Sequence, residues 1–80
     1  MSIQNAKKFI QSVQTDSVFR SELYKVDGLD GLNTFITKKD LPFSETDFEE
    51  AHSMMMFKCQ FAEEHDELEN TVNLIKLIAM

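Results

Sequence analysis

The sequence predicts an all-α fold: a small orthogonal bundle of four to five short helices. Three observations predict it. Apolar residues recur at three- and four-residue spacing along most of the 80 residues, the period of an amphipathic helix. Two Gly and one Pro are far too few for a sandwich of short strands and turns. The segment Leu41-Pro42-Phe43-Ser44-Glu45-Thr46-Asp47-Phe48 compresses a helix stop, a corner and a helix start into one short stretch. There Ser44 is placed to accept from the Asp47 backbone N–H, and Asp47 to answer it, which approximates a capping box. Phe43 and Phe48 have the spacing of a hydrophobic staple across the same corner.

The elements follow in order. Ser2 caps a first helix over about residues 3–14, with Ile3, Ala6, Phe9, Ile10 and Val13 on one stripe and Lys7, Lys8, Gln11 and Gln14 on the wet side. Asp16 caps a second helix of about residues 17–25, whose Phe19, Leu23 and Val26 share a face. Asp27-Gly28 reads as its stop, with the glycine free to take a left-handed conformation. A third helix of about residues 29–39 turns Leu29, Leu32, Phe35 and Ile36 inward. Gly31 within it suggests a later start capped by Asp30. Lys38 and Lys39 complement its negative end, and Asp40 closes it because Pro42 disfavours helical geometry at Leu41.

A fourth helix opens at Glu45, with Glu45, Asp47, Glu49 and Glu50 at its positive end. Phe48, Ala51, Met55, Cys59 and Ala62 form its inner stripe, and Met54, Phe57 and Phe61 form a second, adjacent face. Glu63-Glu64-His65-Asp66 reads as a polar break. Asp66 and Glu69 repeat the cap-box spacing, which starts a fifth helix at about residue 67. Leu68, Val72, Ile75 and Ile78 are its main face, widened by Leu74 and Leu77, with Asn70, Asn73 and Lys76 outside. That break contains neither Gly nor Pro. A single helix of about 35 residues, roughly 50 Å long, is therefore the alternative, and it implies a dimer.

Composition narrows the function classes. Hydrophobic residues make up 42% of the chain, as in a globular domain, and 80 residues suffice for one core. Net charge is −6, unevenly placed. Residues 1–40 hold six Lys/Arg against five Asp/Glu, whereas residues 41–80 hold two against nine, a net of −7. That half repels phosphate backbones, so nucleic acid is not the expected partner; solubility is the plain reading of the acid, and a basic groove on another protein the functional one. Lys38 and Lys39 suggest a helix-turn-helix, but the apolar positions of the third helix leave little polar face for base edges. Cys59 is alone, which fits a reducing cytoplasm. Neither a usual signal peptide nor a membrane-spanning run is present, so a cytoplasmic protein without a membrane partner is expected.

No constellation reads as a catalytic or cofactor site, and none is expected. His52, Met55, Met56 and Cys59 fall at i, i+3, i+4 and i+7, with Met54 beside them, a spacing that could suit Cu(I). The same spacing describes an inward stripe of ordinary core residues. Glu63, Glu64, His65, Asp66 and Glu67 are adjacent on a helix and splay apart rather than converging on one ion. Cys59 stands among apolar residues that do not activate a thiol. Gly28-Leu29-Asp30-Gly31 lacks the lysine of a phosphate loop. What remains is an apolar surplus. Met54, Phe57, Phe61, Leu74 and Leu77 are the candidate hydrophobic contacts with a protein partner, and Glu49, Glu50, Glu63 and Glu64 their charged rim.

The strings Ser2-Ile3-Gln4-Asn5-Ala6-Lys7-Lys8-Phe9 and Leu41-Pro42-Phe43-Ser44-Glu45-Thr46-Asp47-Phe48-Glu49-Glu50-Ala51, with Asp16, Phe19 and Leu23 between them, resemble the nif-eleven leader-peptide family. These are small helical domains first noted near nitrogen-fixation genes. The likeness covers about residues 1–58, leaving about residues 59–80 as a C-terminal amphipathic extension of a single domain. It implies a domain gripped by a peptide-modifying enzyme, which then processes a C-terminal core released at a Gly-Gly or Gly-Ala pair. No such pair occurs here, and residues 67–80 contain one Thr, no Ser and no Cys. The expectation is a non-catalytic, leader-like recognition domain bound by a larger protein. The alternative is a homodimeric structural or accessory protein, nitrogen-fixation-associated, pairing through its C-terminal helices.

Overall fold

The computed structural model describes residues 2–80 and places them in five helices, with no strand among them. They are α1 (Ile3–Thr15), α2 (Ser17–Leu23), α3 (Gly28–Lys38), α4 (Glu45–Lys58) and α5 (Ala62–Ala79). The expected all-α bundle is the observed one. The radius of gyration, 11.8 Å, is close to the roughly 12 Å of a compact chain of this length.

Local chemistry explains the starts and stops. Ser2 Oγ accepts from the Asn5 N–H at 3.1 Å and opens α1. Asp16 serves both sides of the α1–α2 corner. Its N–H donates to Ser12 O and so closes α1, while its carboxylate accepts from the Val18 and Phe19 N–H groups and opens α2. Arg20 reaches back from α2 and donates to the carbonyls of Val13 (3.0 Å) and Gln14 (3.4 Å), satisfying the open end of α1. The Ser44–Asp47 capping box is complete. Asp47 N–H donates to Ser44 Oγ at 3.1 Å, and Ser44 N–H donates to Asp47 Oδ2 at 3.0 Å. The staple is formed too, with the Phe43 and Phe48 rings stacked 5.9 Å apart.

Two stops differ in detail from expectation. Gly28 does take the left-handed conformation, φ 77°, but it opens α3 rather than capping α2. Nor does α3 start later at Asp30. It runs through Gly31, where the Val26 side chain lies 3.3 Å from the place of an added Cβ, so the missing side chain admits Val26. Asp40 ends α3 with φ 59°. Its N–H donates to Thr37 O, and Leu41 N–H donates to Ile36 O at 2.8 Å, a Schellman stop in which aspartate occupies the usual glycine position.

The core is organised around α1, which packs on α2, α4 and α5; α3 packs on α5, and α4 on α5. Ala6, Phe9, Ile10 and Val13 are essentially inaccessible, as the stripe requires. Phe9 meets Phe19, Phe35 and Phe43 at centroid distances of 5.3–6.4 Å, and Phe19 meets Phe35 edge-on. Lys39 closes the top of this cluster, over the Phe19 and Phe35 rings and 2.7 Å from Glu22. Asn5 Nδ2 donates to Pro42 O at 3.0 Å and ties α1 to the corner before α4. Leu68, Val72 and Ile75 of α5 are buried in the same core, so the C-terminal helix is part of the bundle and not an appendage.

The largest correction concerns the joint between α4 and α5. It lies at Cys59-Gln60-Phe61, not at Glu63-Glu64-His65-Asp66, and residues 45–79 form two helices. Charge explains the shift. Lys58 sits in the last turn of α4, and Glu63 and Glu64 sit in the first turn of α5, so both helix dipoles are complemented by a break between them. Glu64 also accepts from the Gln60 N–H at 3.4 Å. Asp66 is consequently inside α5 and caps nothing, and Ala62 leaves the inner stripe of α4 to become the exposed first residue of α5.

Candidate functional site

The two C-terminal helices run antiparallel. His52 Nε2 lies 3.3 Å from Glu69 Oε1, and Lys76 Nζ lies 3.4 Å from Glu49 Oε1. The pairing puts the α4–α5 joint at one end of the molecule and the end of α5 beside the start of α4. Seen from α4, the inward positions Phe48 and Ala51 are buried and Met55 is half-buried, which turns Met54 and Phe57 to solvent.

At the joint, Phe57 is 92% exposed, Phe61 66% and Met54 42%. Phe61 stands at the N-cap position in an extended conformation, with no side-chain cap of its own. Cys59 Sγ–H donates to Met55 O at 3.3 Å, and the Cys59 N–H donates to Met56 O, so the last turn of α4 is closed locally. Glu63 and Glu64 are exposed in the same region, and Glu50 is exposed on the Met54 face of α4, about two turns before Phe57. Three expected contact residues and two expected rim residues are therefore brought to one end, with Glu50 nearer the start of α4.

Leu74 and Leu77 are not brought there. Leu74 is half-buried and Leu77 is 67% exposed near the other end of α5, about 24 Å from Phe61 at 1.5 Å per residue. Glu49 belongs with them through Lys76. That end carries a shallow groove between α3, α4 and α5, floored by Leu32, Phe48 and Ile75 and mouthed by Leu29 and Met80. Leu29 is expected inward with Leu32 but is 56% exposed, at the mouth of this groove. Met80, 92% exposed, was not singled out by pattern, although it continues the Leu77 face at i+3. Val18 and Tyr24, also exposed, stand singly on or beside α2 and need no partner.

His52, Met55, Met56 and Cys59 do not converge on one point. The His52 ring addresses Glu69 and the Cys59 thiol addresses a carbonyl. Among the described residues, no group of three or more His, Cys, Asp or Glu side chains is placed to hold a metal ion. No helix of the described residues is long and apolar enough to cross a membrane. The exposed apolar surface at the α4–α5 joint is thus made of Met54, Phe57 and Phe61, with Glu63 and Glu64 exposed nearby. Set against family models, curated proteins and solved structures, the chain matches none.

Proposed function

We propose that this chain is a non-catalytic, leader-like recognition domain, bound by a larger protein such as a peptide-modifying enzyme. The observation that carries the reading is the near-complete exposure of Phe57 at the end of a well-packed helix, with Phe61 beside it in sequence across the joint. Aromatic rings, phenylalanine among them, are enriched in the cores of protein–protein interfaces, and two of them stand in water here on a folded scaffold. The resemblance of about residues 1–58 to nif-eleven leader domains supports the same role. The role proposed is that of the gripped domain; the 80 residues contain no Gly-Gly or Gly-Ala pair.

The test starts from gene neighbourhood. A synthetase or transporter-peptidase encoded next to this chain is purified, and its affinity for the full chain is compared with that for the Phe57→Ser/Phe61→Ser variant. The reading expects affinity to fall at least about tenfold with the fold intact, the loss typical of one hot spot. Unchanged affinity overturns it. A second reading, a homodimeric accessory protein, is favoured by the exposed Leu29, Leu77 and Met80 at the opposite end. Sedimentation equilibrium separates the two, because a monomer at millimolar concentration excludes the dimer.

A further inference from the structure

We infer that the surface covering Met54, Phe57 and Phe61 is a cationic cleft on a different protein, with an apolar floor for the two rings and lysine or arginine at its edge. The inference rests on the recognition reading above and adds the chemistry of the partner. It is carried by charge and by area.

Residues 50–67 contain Glu50, Glu63, Glu64, Asp66 and Glu67, all exposed, against Lys58 as the one Lys or Arg. Among the described residues, none of these five carboxylates has a cation within ion-pairing distance. Elsewhere on these two helices Glu49 is paired with Lys76 and Glu69 with His52, while Glu45, in the first turn of α4, has no ion pair among the described residues. Carboxylates left open around an apolar patch suit a positive surface, and they repel phosphate backbones and anionic lipid alike.

A second copy of the chain fits poorly. An isologous contact centred on Phe57 sets each acidic rim against its own image. The apolar area is also small. At roughly 200 Å² for an aromatic side chain, the exposed parts of the two rings amount to about 300 Å², well short of the ~800 Å² per partner of a standard interface. A partner must therefore cover the acidic rim as well as the rings, which favours one whose own rim is positive.

The test uses the full chain, labelled for NMR, and two probes: an amphipathic helical peptide of about 14 residues made of leucine and lysine, and its leucine–glutamate counterpart. The Leu/Lys peptide is expected to shift amides of residues 54–67 and the Leu/Glu peptide to leave them unmoved. Binding should weaken about tenfold between ~50 and ~300 mM NaCl. It should also weaken about tenfold in Phe57→Ser/Phe61→Ser and severalfold in Glu50→Gln/Glu63→Gln/Glu64→Gln. Four results overturn the inference: equal binding of both peptides at the joint, binding of neither there, Leu/Lys binding that ignores the phenylalanine changes, and self-association at the joint. The first leaves the recognition reading standing, because a neutral cleft is still a partner. The last removes the recognition reading as well.

Discussion

Five of the seven phenylalanines interlock and two do not. Phe9, Phe19, Phe35, Phe43 and Phe48 form a continuous chain of ring contacts running from α1 through α2 and α3 to the corner before α4. Phe57 and Phe61, at the α4–α5 joint, face water. The same side chain thus serves two ends. Where helices converge on α1 it binds the fold together, and at the α4–α5 joint it faces water. Hydrophobicity alone does not separate these roles; the reach of the neighbouring helices does.

The comparison is broken most strongly from the packed side. Phe9→Ala removes a side chain of 0% exposure that touches three other rings. Destabilisation of about 3–5 kcal/mol is expected by urea denaturation, the range for deletion of a buried aromatic. A loss below about 1 kcal/mol would show that the aromatic cluster is loosely packed. Next in size is the corner. Ser44→Ala deletes the acceptor for the Asp47 N–H and should cost about 1 kcal/mol. Asp40→Gly should act in the opposite direction, because φ 59° is strained for aspartate and natural for glycine. A gain of about 0.5–1 kcal/mol is expected, net of the added freedom of the unfolded chain.

The corner also titrates. The backbone N–H of Ser44 holds the Asp47 carboxyl below the usual carboxylate range, with the Ser44 side chain assisting and partial desolvation opposing. A carboxyl group lowered in the folded state contributes stability that is fully present above its unfolded pKa, about 3.9, and is lost as pH falls through the lowered folded value. The stability advantage of the native chain over Asp47→Asn should therefore be constant above about pH 5 and shrink below about pH 4. An advantage independent of pH would mean that the carboxylate contributes nothing as a charge.

The two regions also differed in how far they could be read from residues. The first three helices and the Ser44 corner were legible because their signals are local: a cap, a stripe, a stop. Ser2, Asp16 and Ser44 each bond the N–H groups their spacing predicts. The α4–α5 joint was misplaced by four residues because its stop carries no Gly or Pro. Its marker is a sign change from Lys58 to Glu63 and Glu64, easily mistaken for a polar break of its own. The apolar surplus of Met54, Phe57 and Phe61 was legible as surplus. That Leu74 and Leu77 lie at the far end, and that Leu29 is exposed, depends on how α4 and α5 pair and how α3 packs on α5, and both are tertiary facts.

The smallest expected effect tests the comparison most directly: the urea stability of Phe57→Ser/Phe61→Ser beside that of the native chain. If the two rings lie outside the core, unfolding stays cooperative and its free energy changes by no more than about 0.5 kcal/mol per site, as for surface substitutions. A loss of about 3 kcal/mol or more, the scale of a buried phenylalanine, would place them in the core and contradict the account.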